Sequence, residues 1–125
     1  MAASSYEVKL SDDGTYIILT VVGEITSQSA MEQNVAAHAE GRKLGINRYL
    51  TDVRQARNMD SVVHNYQFAY DDMVSPDVDS TAVVALLVAP DDHSHDFVET
   101  FARNAGLSVT LFRDWDEAVN FLQQK

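Results

Sequence analysis

The longest apolar run of this sequence is AVVALLVA, residues 82–89, which is followed by Pro90. The run is rich in valine and is about half as long as a membrane-spanning helix requires, so its length and composition favour a β-strand. A strand whose apolar residues are not separated by polar ones is covered on both of its faces. We therefore predict that Ala82–Ala89 forms the centre of a β-sheet.

The first part of the chain predicts an antiparallel hairpin. Residues 6–10 alternate between apolar and polar side chains, an Asp-Asp-Gly sequence follows at 12–14, and the strand pattern resumes over 16–22. This arrangement is typical of two strands joined by a turn that contains glycine. We expect the hairpin at an antiparallel edge of the sheet, and we expect residues 1–5 to be a flexible N-terminus.

A first helix is predicted to follow the hairpin. Thr26 or Ser27 can cap its N-terminus, and Gly41 and Gly45 are candidate stop signals because glycine commonly follows the last helical turn. A strand over Arg48–Val53 is expected next. The residues of the helix that would face the core are spaced by four: Met31, Val35 and Ala39.

Two further helices are predicted on either side of the apolar run in the sequence. Asp60 or Ser61 can cap the second helix, and Pro76 prevents its continuation. The third helix has an apolar stripe within 97–105 and ends at Gly106. The second helix would carry these residues at helical spacing: Val63, Tyr66, Tyr70 and Met73.

One more strand and a last helix complete the predicted order. The strand covers Leu107–Phe112, and Asp114 with Glu117 three residues later resembles a capping box. The last helix would bury Ala118, Phe121 and Leu122. The order β-β-α-β-α-β-α-β-α predicts one α/β domain over residues 1–125, with a mixed, mostly parallel sheet and about four helices.

The composition excludes several functional classes. Lys and Arg total 9 against 19 Asp and Glu, and the net charge of −10 repels nucleic-acid phosphates and anionic lipid. The chain has no cysteine, and therefore no disulfide, thiolate nucleophile or Cys-type zinc site. No nucleotide-binding loop, serine-nucleophile elbow or zinc-protease motif occurs. We expect neither an enzyme nor a cofactor, and the lack of a signal-peptide pattern predicts a cytoplasmic location.

Three stretches carry a resemblance to a known family. Residues 17–25 read IILTVVGEI, residues 49–53 read YLTDV and are followed by Met-Asp-Ser at 59–61, and residues 82–90 form an apolar strand that ends in proline. These stretches resemble the STAS domain family, which includes anti-sigma-factor antagonists and the cytoplasmic tails of sulfate transporters. The resemblance implies a SpoIIAA-like fold, a protein partner and a phosphoacceptor at Ser61.

The residues after Ser61 differ from the usual pattern of that family, which reads Asp-Ser-Ser-Gly. Val62 and Val63 stand where the family has serine and glycine. This continuation is more similar to the SpoIIAA-like branch of the fold, which is similar to CRAL-TRIO lipid-binding domains. That branch implies binding of an apolar small molecule or lipid, with peripheral membrane association.

Ser61 is the candidate for a phosphorylation switch. It is predicted at a strand-to-helix junction, where the unpaired N–H groups of a helix N-terminus stabilise a phosphate. Arg54 and Arg57 could approach as counter-charges, and Asp52 and Asp60 complete the predicted switch loop. In the alternative interpretation, Asp60 or Ser61 only caps the helix.

The second helix is the candidate surface for a partner or an apolar ligand. Its apolar and aromatic side chains lie on more than one helix face, and they are Val62, Val63, Tyr66, Phe68 and Tyr70. The core would cover one side of this helix, and a partner or an apolar ligand would cover the other. In the conservative alternative, the tyrosine rings are half-buried with their hydroxyls in water.

His93 and His95 lie in the densest polar cluster, residues 91–96. Two imidazoles beside carboxylates could hold zinc or a similar divalent ion. However, residues two apart in a helix face away from each other, and the sequence offers no convincing third and fourth ligand. A solvated helix entry is therefore expected here, and no metal.

Two hypotheses from different classes remain. The first is a non-enzymatic, STAS-like regulatory domain that binds an unidentified protein and is switched around Ser61. The second is a carrier or sensor of an apolar small molecule or lipid. We favour the first, because the junction at residues 59–61 and the acidic surface suit a partner with a basic patch. A homodimer is also expected, since the edges of the sheet need to be covered.

Overall fold

The computed structural model describes residues 5–25, 27–58, 82–91 and 108–123. The predicted second and third helices fall on residues outside this part of the chain. Ser5 belongs to the first strand and not to a flexible N-terminus. The elements are β1 (Ser5–Leu10), β2 (Ile17–Ile25), α1 (Ser27–Leu44), β3 (Arg48–Asn58), β4 (Val83–Leu87), β5 (Ser108–Phe112) and α2 (Trp115–Gln123).

The described strands form one mixed sheet in the order β1-β2-β3-β4-β5. β1 and β2 pair antiparallel, and every later pair of neighbours is parallel. This confirms the predicted α/β fold with its N-terminal hairpin at one edge of the sheet. β4 lies inside the sheet, as its apolar run predicts, but the middle strand of the five is β3, because the hairpin places two strands on its other side.

Each face of the sheet carries its own apolar cluster. Along β4, Leu86 belongs to one cluster, while Ala85 and Leu87 belong to the other. Ala37 of α1 packs in the first cluster and Leu122 of α2 packs in the second. The unbroken apolar run of β4 is therefore explained, because both faces of this strand are covered.

The hairpin turn is held by Ser11 and Asp13. The Ser11 Oγ donates to Asp13 Oδ1 at 2.7 Å, and the Thr15 Oγ1 donates to the same oxygen at 2.8 Å. Gly14 has a φ of 74°, which glycine adopts without steric cost. The Ser11 N–H donates to the Tyr16 carbonyl at 2.9 Å and closes the hairpin. The predicted turn is confirmed.

β3 is longer than the sequence predicts. Its pairing with β4 ends at Asp52, opposite Leu87. Its pairing with β2 continues to Asn58, opposite Ile25. The prediction of a loop over residues 54–58 is therefore wrong, because β2 alone provides enough main-chain partners to continue the strand.

The buried face of α1 differs from the predicted one. Val35 is half-buried and Ala39 is exposed, and the side chain of Met31 is outside the described part of the structure. The residues that face the core are Gln33, Ala37, His38 and Gly41. Apolar spacing does not reveal this face of the helix, because two of its residues are polar and one is glycine.

Gly41 lies inside α1 and does not end it. The helix continues to Leu44, and Gly45, with a φ of 72°, is the stop signal. A Cβ atom on Gly41 would lie 2.7 Å from the Ile46 carbonyl oxygen and 2.8 Å from Cζ of Tyr49. The glycine is therefore required for the close approach of the Tyr49 ring to the helix.

α2 follows the prediction closely. The Glu117 N–H donates to Asp114 Oδ2 at 3.0 Å, so Asp114 is the N-cap. Ala118 and Leu122 are completely buried. Phe121 is half-buried, and its ring centroid lies 5.2 Å from that of Phe112.

Candidate functional site

The carboxyl edge of the β3–β4 ladder brings residues from several elements together. Leu87 at this edge lies opposite Asp52 on one side and Phe112 on the other. After Phe112 the chain turns into α2, which begins at Trp115. Open α/β sheets commonly bind their ligands at the carboxyl ends of the strands. This edge is therefore the first place to search for a site.

A β-bulge in β3 positions Arg54 at that edge. The register between β2 and β3 shifts after the Thr20–Asp52 pair, so that β3 holds one residue more than β2. A bulge of this kind changes the direction in which a side chain points. Val53 packs in the first apolar cluster, whereas the side chain of Arg54 reaches back to Asp52.

Asp52 and Arg54 form a two-pronged ion pair. The Arg54 Nε donates to Asp52 Oδ1 at 2.9 Å, and Nη2 donates to Oδ2 at 2.8 Å. The backbone N–H of Arg54 also donates to Oδ1, at 3.1 Å. The Asp52 side chain is 12% exposed, and that of Arg54 is 44% exposed. The buried carboxylate of Asp52 thus holds the guanidinium of Arg54 in place, and the guanidinium is the part of the pair that is exposed to solvent.

Trp115 completes the site from the start of α2. The guanidinium carbon of Arg54 lies 5.4 Å from the centre of the Trp115 ring, within the range of a cation–π contact. The ring is half-buried and packs against the second apolar cluster. We call the surface formed by Asp52, Arg54 and Trp115 the arginine edge.

The electrostatics of the arginine edge keep Arg54 charged. The hydrogen bonds to Asp52 raise the pKa of the Arg54 guanidinium; partial burial opposes this effect, and the charge of Asp52 adds to it. Because its guanidinium is exposed to solvent, a pair of this kind contributes about 0–1 kcal/mol to stability. Its main effect is therefore to hold a positive group in one place on a chain of net charge −10. A guanidinium held in this way can bind a carboxylate or a phosphate.

No model of a known protein family matches the sequence, and no curated protein matches it either. Solved structures do match the fold. An anti-sigma-factor antagonist from Mycobacterium paratuberculosis aligns over 98% of this chain and 96% of its own, with a TM-score of 0.63 and 14% identity. SpoIIAA in its unphosphorylated form aligns over 97% of this chain and 100% of its own, with a TM-score of 0.59 and 13% identity. The chain has the SpoIIAA-like fold.

A third structure agrees with this assignment. A protein from Shewanella loihica, from a domain family of unknown function and described as having a SpoIIAA-like fold, aligns over 98% of this chain and 95% of its own. Its TM-score is 0.51 and its identity is 15%. The fold that the STAS resemblance implies is therefore confirmed, and at these identities the likeness is one of fold.

The SpoIIAA-like fold brings together only some of the predicted switch residues. Asp52 and Arg54 are in contact, as members of one site. Arg57 lies in β3 opposite Glu24. Arg54 and Arg57 therefore both belong to a strand and not to the predicted loop. The predicted residues that lie outside the described part of the chain are Asp60, Ser61, Val62, Val63, Tyr66, Phe68 and Tyr70.

Trp115 was not among the predicted site residues. Nothing in the local sequence relates it to Arg54. The indication that could have found it is topological, because the end of β5 and the end of the β3–β4 ladder meet at one edge of a parallel sheet.

The histidines of this chain do not form a binding site within the described residues. His38 is 2% exposed and stacks on Tyr49 with the ring centroids 4.3 Å apart. His93 and His95 lie outside the described residues, and within the described ones no group of acidic or histidine side chains could hold a metal ion.

Within the described residues, no helix is long and apolar enough to span a membrane.

Proposed function

We propose that this chain is a non-enzymatic, regulatory protein-interaction domain of STAS type. Two of the solved proteins with this fold are described as anti-sigma-factor antagonists, a name that refers to an action on another protein. In this chain the arginine edge supports such a role, because it presents a positioned charge and an aromatic ring on one surface.

The exposed guanidinium of Arg54 over Trp115 is the observation that carries this proposal. Arginine and tryptophan are enriched among the residues that dominate binding energy in protein interfaces. Asp52 fixes the guanidinium before binding, so little side-chain entropy is lost when a partner docks. A carboxylate of the partner would bind Arg54, while the surrounding acidic surface would favour basic groups around that contact.

We assign the regulation of this surface to Ser61. β3 ends at Asn58, so the segment that contains Asp60 and Ser61 follows the strand that carries Arg54 and Arg57. A phosphate on Ser61 would add negative charge to this segment and compete with the partner for the arginines. SpoIIAA of Bacillus in its phosphorylated form has the same fold, with a TM-score of 0.54 and 13% identity.

The test is affinity capture of the partner from an extract of the host, followed by calorimetric titration of that partner. We expect Arg54→Ala to weaken binding by about tenfold or more, as truncation of a dominant interface residue does. Arg54→Lys keeps the charge but not the two-pronged geometry, so its loss should be intermediate.

Arg42→Ala is the matched control, because it removes the same charge from an exposed position in the last turn of α1. This variant should bind the partner as the wild type does. Equal affinity of the Arg54→Ala variant would contradict the proposal. So would the recovery of no stoichiometric partner together with an unmodified Ser61 in protein from the host.

The second hypothesis, an apolar ligand or lipid with peripheral membrane association, stays a prediction from the sequence. Its candidate residues, Val62, Val63, Tyr66, Phe68 and Tyr70, lie outside the described part of the chain. Native mass spectrometry of freshly purified protein tests it, and a mass equal to that of the bare chain would contradict it. Metal binding at His93 and His95 and the cytoplasmic location also stay predictions.

A further inference from the structure

β1 is an edge strand with large apolar side chains in contact with solvent. Among the described strands it pairs only with β2, and it is the first in the order of the sheet. Tyr6 is 48% exposed and Leu10 is 42% exposed. Natural proteins usually protect such an edge, because its free main-chain groups can pair with another strand.

The main-chain groups that face away from β2 belong to the apolar residues of β1. The Ser11 N–H donates to the Tyr16 carbonyl across the hairpin, and the register of β1 with β2 is continuous. Hydrogen-bonding direction alternates along an antiparallel strand. The main-chain groups of Lys9 and Glu7 therefore face β2, and those of the apolar residues at 6, 8 and 10 face the open edge.

The sequence of β1 is complementary to itself in an antiparallel arrangement. When two copies are paired about Val8, Glu7 of each copy lies opposite Lys9 of the other, and Tyr6 lies opposite Leu10. Registers centred on Glu7 or on Lys9 would instead place like charges on the axis, which is destabilising. The register at Val8 is thus favoured on both faces of the strand at once.

We propose that β1 pairs with β1 of a second copy of this chain, antiparallel and two-fold symmetric about Val8. The pairing joins two five-stranded sheets into one continuous sheet. About six main-chain hydrogen bonds form, between the outward groups of residues 6, 8 and 10 and their copies. Two Glu7–Lys9 ion pairs lie on one face, and the apolar pairs lie on the face that carries α1.

This interface is small, and it forms against the repulsion of two chains that each carry a net charge of −10. A dimer joined mainly by one strand from each copy belongs to the class of weak, concentration-dependent contacts. At physiological ionic strength the long-range repulsion between the two chains is largely screened. The short-range Glu7–Lys9 ion pairs then determine the register in which the two strands pair. The dimer should therefore dissociate on dilution.

Sedimentation equilibrium of the full chain at physiological salt tests the pairing. The wild type should dimerise at about 100 μM, a concentration that populates weak interfaces. Lys9→Glu and Glu7→Lys should each raise the dissociation constant about tenfold or more, because each converts both ion pairs into like-charge pairs. An equimolar mixture of the two variants should form a heterodimer, and the doubly exchanged variant should dimerise again.

Lys43→Glu is the matched control, because it makes the same charge change at an exposed position near the end of α1. It should leave the dissociation constant unchanged. Circular dichroism checks that each variant is folded; Glu7 and Lys9 are exposed, so their replacement should not unfold the chain. A monomeric wild type at about 100 μM, an undiminished dimer of the Lys9→Glu variant, or a mixture that stays monomeric would overturn the proposal.

Discussion

Tyr49 connects α1 to the sheet through several contacts of one side chain. Its ring is almost completely buried and stacks on that of His38, with an angle of 7° between the planes. Its hydroxyl donates to the Ile46 carbonyl at 3.3 Å and lies against Gly41. The absence of a side chain at Gly41 is what makes room for this arrangement.

Replacing Gly41 by alanine should therefore destabilise the chain. Alanine is the better helix former by about 1 kcal/mol, but its Cβ would displace the Tyr49 ring and the Ile46 carbonyl, and overpacking of this kind costs about 1–3 kcal/mol. We expect a net loss of up to about 2 kcal/mol in urea unfolding. Tyr49→Phe in the same background should recover part of the loss, because the hydroxyl is the nearest obstacle. An increase in stability would contradict this description of the contact.

Asp13 gives the hairpin turn a pH dependence. Hydrogen bonds from the Ser11 hydroxyl and then from Thr15 lower the pKa of Asp13 from 3.8 to about 2. The unfolded chain binds this proton more tightly than the folded one. The stabilising contribution is therefore complete above pH of about 4 and is lost as the pH falls to about 2.

The stability difference between the wild type and Asp13→Asn should follow the same pH range. It should be constant from neutral pH down to about 4 and should shrink as the pH approaches 2. Urea unfolding across this range measures the difference, and carbon NMR of the Asp13 carboxyl measures the pKa directly. A difference that does not change between pH of about 5 and 2 would contradict the assignment.

At the level of secondary-structure elements, the N-cap of α2 connects a local sequence signal to the core. Asp114 accepts the Glu117 N–H, and the capped helix packs Ala118 and Leu122 under the sheet. Asp114→Ala should lower the free energy of unfolding by about 1 kcal/mol. Asp116→Ala, which removes an exposed acid from the same turn, should cost less. Equal losses in urea unfolding would show that the cap has no special role.

Elements with strong local signals were predicted well. The hairpin turn, the apolar run of β4 and the capped helix α2 each depend on residues close together in sequence. The extension of β3 to Asn58 was missed because it depends on a partner strand far away in the chain. The bulge after Asp52 was missed for the same reason, since register is a property of two strands.

On the scale of the whole molecule, the site was only partly predictable. Asp52 was identified from the resemblance to a family motif and Arg54 as a counter-charge for Ser61, although Arg54 was expected in a loop. Trp115 was not, because its proximity to Arg54 is a consequence of parallel strand order and not of spacing in the sequence. The charge of the whole chain also gave no sign of the fixed positive group, since a net value does not show where one cation is held.

The central claim is that a partner docks on the arginine edge, and Trp115 reports on it directly. Trp115 is the single tryptophan of the chain, so incorporation of 5-fluorotryptophan gives one fluorine NMR signal from the site itself. Saturation with the captured partner should shift or broaden this signal, because the ring lies beside the Arg54 guanidinium. A signal that is unchanged while calorimetry shows the partner fully bound would contradict the account.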